Sequence, residues 1–397
     1  MAGNDIPINT DFTPSTVFIK MLNAYICITD NPENMNTLFP LPLYSFLKTV
    51  CKNGGFSAGG VLRSVQWFAG ATLFEPLRVL ELMAKQKKIN QHQISQPPVF
   101  ILGYYRSGTT YLQEIFKRDD RLGYMSVYQT VFPDIMLTSE KWMTPVMEFF
   151  SKLFRHQNVF HRIPFTWYST GEEDIALSTA MSPVAAHWGY AFPEKMLDYY
   201  QKYVMFEGIP APEFQRWKHD YMLICKKISL ASQGRRLVLK NPPNTARIQT
   251  LLSLFPDAVF VHIHRNPYEV HASTVKMLKD LQATYSLGRT RNSNHSEVVF
   301  STYLWTMKKY LEERTLIKQG RLIEVPYGNF IKDPVDTMKS IYETLQLNDF
   351  EYCRKKMESY VEQQKKFSVL NHVQSDEEKK FITEKWGSII SDLGYPV

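Results

Sequence analysis

The sequence predicts an α/β fold: a P-loop-like three-layer domain with a central, mostly parallel sheet flanked by helices, preceded by a helical N-terminal extension. Three observations carry this. Val99–Leu102, Leu237–Leu239 and Val259–Ile263 are short runs, apolar except for His262 in the third, the pattern of strands buried on both faces. Helical periodicity separates the last two, and alternating strands and helices pair in parallel through crossovers. The first run opens directly into a glycine-containing turn, Gly103–Gly108, where sheets of this kind bind ligands.

Taken in order, the chain begins with apolar clusters at roughly helical spacing (VFIKMLNAYICI, LYSFLKTV, VLRSVQWFAGATLF, LRVLELMAK), separated by Pro and Gly breaks. These predict a helical extension over residues 1–96 that packs on a second unit, residues 97–397. After Gln96 the first strand starts. Between the second and third strands, Thr245–Phe255 places Ile248, Leu251, Leu252 and Phe255 on one helical face, which Pro256 closes, so this stretch is one βαβ unit. Leu322–Val325 is a further strand. Asp333 and Pro334 then suit the N-cap and first turn of a helix through Leu345. Ser375 with Glu378 forms a capping box for the final helix, which Gly394 can end. No period repeats.

Composition narrows the function. The chain has 397 residues, 44% hydrophobic and 21% charged, a globular balance. A net charge of +7 suits an anionic ligand in a cleft and argues against a nucleic-acid partner. Cys27, Cys51, Cys225 and Cys353 are dispersed without a CxxC pair, which fits a reducing compartment and neither a disulfide framework nor structural zinc. The start MAGNDIPINTDFTP lacks a signal-like pattern, and no run of about 18 apolar residues follows. A cytoplasmic location is expected. The amphipathic N-terminal helices leave two roles open, a folded cap and peripheral contact with a bilayer.

The turn after the first strand reads Gly103, Tyr104, Tyr105, Arg106, Ser107, Gly108, Thr109, Thr110. Backbone N–H groups of such a turn and the positive end of the following helix form a phosphate cradle. The glycine spacing matches the triphosphatase loop, but Thr109 replaces its lysine and a cation, Arg106, sits inside the loop. This suits a 5′-phosphate carrying one further anionic group better than a triphosphate. The plain alternative is an ordinary turn. A second segment, HRNPYEVHAS, strengthens the anion-binding reading: Arg265 leaves a strand end, Asn266 and Pro267 start a helix, and Ser273 follows two turns later, so guanidinium and hydroxyl can converge on one phosphate.

Together, RSGTTYLQ after a strand, LVLKNPPNTARI and HRNPYEVHAS resemble the 5′-phosphosulfate loop and 3′-phosphate motif of the sulfotransferase superfamily, in its bacterial-type branch. The resemblance runs from about Pro97 to the C-terminus and includes VPYGNFIKDP. It implies transfer of a sulfuryl group from 3′-phosphoadenosine 5′-phosphosulfate (PAPS) to a hydroxyl. By it, Arg106 contacts the 5′-phosphate and the departing bridging oxygen. Ser107, Gly108, Thr109 and Thr110 hold the 5′-phosphate, Tyr111 stacks on adenine, and Tyr327 borders the adenine pocket. Arg265 and Ser273 grip the 3′-phosphate, and Lys240 steadies the transferring group. The donor carries a good leaving group, so no metal is required.

The base is less defined. Where small-molecule members carry a histidine, this chain has Pro242. Other branches use glutamate, and the acidic cluster Glu172, Glu173, Asp174 has a similar setting; a carboxylate flanked by apolar Trp167, Tyr168, Ile175 and Leu177 can have its pKa raised toward a useful value, and Glu173 is preferred over Glu172. The alternative is a set of first-turn acids on a helix. His264, His161 and His187 are fallback bases, and Gln129 is expected to shape the pocket. Aromatic and methionine residues crowd Met125–Met222, which fits a sterol, lipid or phenol acceptor as well as ordinary core packing. A nucleotide-dependent kinase and a non-catalytic nucleotide-binding scaffold are the rival functions; the oligomeric state is not legible.

Overall fold

A computed structural model describes residues 42–153, 166–291, 293–347, 349–364 and 376–396. Residues 1–41, including Cys27, lie outside it, as do His161 and the Ser375 half of the expected capping box. Five strands form one sheet: β1 (Val99–Leu102), β2 (Leu122–Gly123), β3 (Arg236–Lys240), β4 (Val259–His264) and β5 (Leu322–Pro326). Their order is β2-β3-β1-β4-β5, and every pair is parallel. The two-residue β2 has no apolar run of its own, so periodicity does not announce it.

Side chains alternate across the sheet and build a core on each face. Phe100, Leu102, Leu239 and Phe260 point into one core, while Val99, Ile101, Val238 and Val261 point into the other. Helices cover both faces, which is the three-layer architecture the buried runs predict. Ile101 stands beside Lys240 and Leu102 beside His262, so β1, β3 and β4 all release their chains at the same edge. That edge gathers the functional segments.

Local signals hold where a cap defines them. Asn266 accepts a hydrogen bond from the Tyr268 N–H at 3.1 Å, starting Pro267–Tyr285, and Asp333 accepts one from the Asp336 N–H at 3.1 Å, starting Pro334–Thr344. The break expected at Pro76 does not occur. One helix, Ala58–Gln91, runs through it, and Pro76 sits on its exposed side. That helix is fastened to the body by Glu81, whose carboxylate meets the buried Lys227 at 2.6 Å and accepts from the Leu137 N–H at 2.8 Å. Lys227 also donates to the Pro133 carbonyl. No described helix is long and apolar enough to cross a membrane.

Candidate active site

The turn after β1 is strained in the way an anion cradle requires. Arg106 has φ 66°, and Gly108, at the N-cap position of Thr109–Phe116, has φ 97°. A Cβ on Gly108 would lie 2.6 Å from the Tyr327 ring, so only glycine fits. No side chain caps this helix, leaving its first N–H groups facing the cradle. Thr245, from the turn Pro242–Ala246 after β3, accepts from the Gly103 N–H at 2.8 Å and ties the two loops together. The buried Pro242 starts that turn.

Around the cradle, Arg106 donates from Nε to Ser273 Oγ at 2.9 Å. Arg265 is ion-paired with Glu269, its Nε 2.7 Å from the carboxylate, and lies over the Tyr327 ring at 4.7 Å. Ser107 and Thr109 are buried in the turn. The half-buried Tyr111 packs against Phe330 and Tyr360. Arg106 thus touches Ser273, and Tyr327 lies between Gly108 of the turn and Arg265.

At the end of β3, Lys240 Nζ pairs with Glu172 and stands 3.3 Å from Thr110 Oγ1. Only 2% of the Lys240 side chain is exposed, which makes this a nearly dehydrated cation held between the cradle and a carboxylate. Glu173 turns the other way. It is fully buried, its Oε1 accepts from the Lys240 backbone N–H at 3.1 Å, and its Oε2 has no hydrogen-bond partner. Burial, with the Glu172 charge adding to it, pushes the Glu173 carboxyl up to about 8, against the downward pull of Lys240. Asp174 is buried in a two-pronged pair with Arg247, both contacts at 2.9 Å. Three adjacent acids thus have three environments.

A cavity of about 600 Å³ opens beside this cluster. Tyr105 and Arg106 of the cradle line it, as does Glu172, while most of the remaining wall is apolar, including Phe74, Phe132, Ile175, Met181 and Met277. Phe74 comes from Ala58–Gln91, so the N-terminal helix supplies part of the wall. Two groups in the lining carried no sequence signal. Asp134 is pushed up to about 6 by burial, against the pull of Lys227 and Arg78, and Tyr190 hydrogen-bonds Tyr105. Each depends on a tertiary contact that spacing does not reveal.

The histidines separate. His187 lines the cavity, with its pKa lowered by burial. His264 is on the opposite face of β4 from Ile263, stacked on His262 at 5.6 Å and edge-on to Tyr395 at 5.4 Å; burial lowers it to about 4. It does not join the Lys240–Glu172 cluster. Gln129 is not in the cavity wall either. Its side chain accepts from the Ser126 N–H at 3.2 Å and donates to Glu140 at 2.9 Å, completing a capping box.

A sequence profile of the sulfotransferase family matches residues 97–351, well over half of the chain and all five strands. The chain belongs to the sulfotransferase family. It is 28% identical over 309 residues, 78% of each chain, to the omega-hydroxy-beta-dihydromenaquinone-9 sulfotransferases Stf3 of Mycobacterium bovis and Mycobacterium tuberculosis. In fold, this sulfotransferase is similar to crystal structures of STF9 from Mycobacterium avium and STF1 from Mycobacterium tuberculosis. The first has a TM-score of 0.70 at 14% identity, covering 99% of both chains. The second has a TM-score of 0.61 at 16% identity, covering 87% of this chain and 91% of the other. The protein is thus an enzyme of sulfuryl transfer, with a bacterial-type sulfotransferase fold.

Proposed function

We propose that this sulfotransferase moves a sulfuryl group from PAPS to a hydroxyl of an apolar, lipid-like acceptor. The observation carrying the proposal is that Glu172, Tyr105 and Arg106 line one apolar cavity while Arg106 also belongs to the phosphate cradle. The cradle suits the donor: the helix Thr109–Phe116 starts at Gly108 without a side-chain cap, and cations stand at two places, Arg106 in the turn and Arg265 after β4. The N–H groups of the cradle and Thr110 hold the 5′-phosphate. Arg265, exchanging Glu269, and Ser273 hold the 3′-phosphate, with Tyr111 and Tyr327 toward adenine. When bound, the donor supplies an electrophilic sulfur on a good leaving group.

The chain's own residues do the rest. Glu172 takes the proton from the acceptor hydroxyl, since it faces the cavity, and Glu173 does not act as base because its carboxyl is sealed inside. Lys240, already dehydrated, opposes the negative charge spreading over the sulfuryl oxygens and the leaving phosphate. Arg106 assists at the bridging oxygen. The cavity wall excludes water and orients the hydroxyl for in-line attack. The lipid acceptor named for the 28% identical relatives agrees with this wall.

Glu172→Gln and Lys240→Ala test the assignment. Each should lower kcat by roughly 100-fold or more while leaving the affinity for adenosine 3′,5′-bisphosphate nearly unchanged. Unaltered turnover in both variants would remove the assigned chemistry.

A further inference from the structure

Two helices near the cavity, Ala58–Gln91, which lines it through Phe74 and Arg78, and Met136–Leu153, which starts directly after the lining residue Ile135, are apolar on the side where a water-facing helix is polar. On Met136–Leu153, Trp142 is 54% and Phe149 64% exposed, beside exposed Val146, Phe150 and Leu153. The exposed charges of that helix are Lys141 and Lys152. On Ala58–Gln91, Val61, Val65, Leu73, Val79, Leu80 and Met83 are exposed, Met83 by 82%. At α-helical pitch these six lie within one arc of roughly 120°. Among the described exposed residues of that helix the charges are Lys87 and Lys88. No described exposed acid interrupts either face.

The helices are neighbours: Met143 and Met147 of one pack with Phe74 and Leu77 of the other in a single cluster. The cavity opens beside it: Val131 and Tyr285 are both exposed and line the cavity, and Phe132 next to Val131 meets the Phe74 ring edge-on at 5.1 Å. A lone exposed leucine needs no explanation, but a set of exposed aliphatic and aromatic side chains on two packed helices, whose exposed charges among the described residues are lysines, does. Apolar groups suit the acyl boundary and lysines suit anionic headgroups. A protein partner recognised by complementary charge would meet one sign only.

We infer that these two helix faces seat the protein on an anionic bilayer, with the cavity mouth turned toward the lipid. An apolar acceptor then passes from membrane to Glu172 without crossing water. The purpose of the surface rests on the proposed acceptor class; its geometry does not.

Flotation of the full chain with vesicles tests this without any turnover, so a failed acceptor assignment leaves the result readable. Vesicles of phosphatidylcholine alone are compared with vesicles containing roughly 30 mol% phosphatidylglycerol. The parent should float with the anionic vesicles and less with the neutral ones. Phe149→Ser/Phe150→Ser and Leu80→Ser/Met83→Ser should each reduce partitioning by about tenfold or more, with melting temperature and adenosine 3′,5′-bisphosphate affinity retained. No flotation, or equal flotation of parent and both variants, overturns the inference. A dimer that becomes monomeric in the variants while flotation is unchanged assigns the face to self-association instead. Flotation that begins only after residues 1–41 are removed assigns it to that segment, and the inference again fails.

Discussion

Glu172 and Glu173 are neighbours in sequence and opposites in environment. A helix beginning at Glu173 sends successive side chains in directions about 100° apart, so one carboxylate meets Lys240 and the cavity while the next enters the core. The proposed division of labour has a pH signature. Folded Glu173 holds its proton up to about 8, against an ordinary 4.5. As pH rises, the unfolded chain releases that proton first, so stability present below about pH 4.5 is lost progressively and levels off above about 8. Glu173→Gln keeps the shape without the ionisation. Urea titrations should therefore show its stability advantage over the parent growing by roughly 1–3 kcal/mol from pH 5 to pH 8. A constant difference across that range would mean that Glu173 is already charged in the folded protein.

At the scale of elements, the turn after β1 is held because β1, β3 and β4 end at one edge and Thr245 after β3 ties to Gly103 after β1. Gly108 is the tightest point: it combines positive φ with contact against the Tyr327 ring. Gly108→Ala should weaken adenosine 3′,5′-bisphosphate binding at least ~10-fold in calorimetry, since the Cβ must displace Tyr327 or distort the turn. Affinity within a factor of two of the parent would show that the turn does not hold the donor. Much at this scale was legible in the sequence, because apolar runs, Asn266–Pro267 and Asp333–Pro334 are local signals with local causes. Pro76 misled, since proline costs a helix one bond but tertiary contacts such as Glu81–Lys227 can override it. The two-residue β2 exists through pairing with β3 alone.

Across the whole molecule, legibility falls with sequence separation. Arg106 and Ser273 were each legible as candidate anion ligands, yet their mutual contact spans 167 positions. The choice between Glu172 and Glu173 depends on which one reaches a cavity built from residues 74 to 285. Apolar flanks correctly suggested a raised carboxyl pKa, but burial deep enough to raise it also withdraws Glu173 from the proposed acceptor. Phe74 enters the wall only through the packing of Ala58–Gln91 on the body. The central claim, sulfuryl transfer at the junction of cradle and apolar cavity, is tested most directly by incubating the full chain with sulfur-35-labelled PAPS and a lipid extract. Label should appear in an organic-phase product identifiable by mass, and Glu172→Gln should reduce that label by roughly 100-fold without loss of donor binding. Label confined to water-soluble products, or undiminished organic-phase label with Glu172→Gln, would contradict the account.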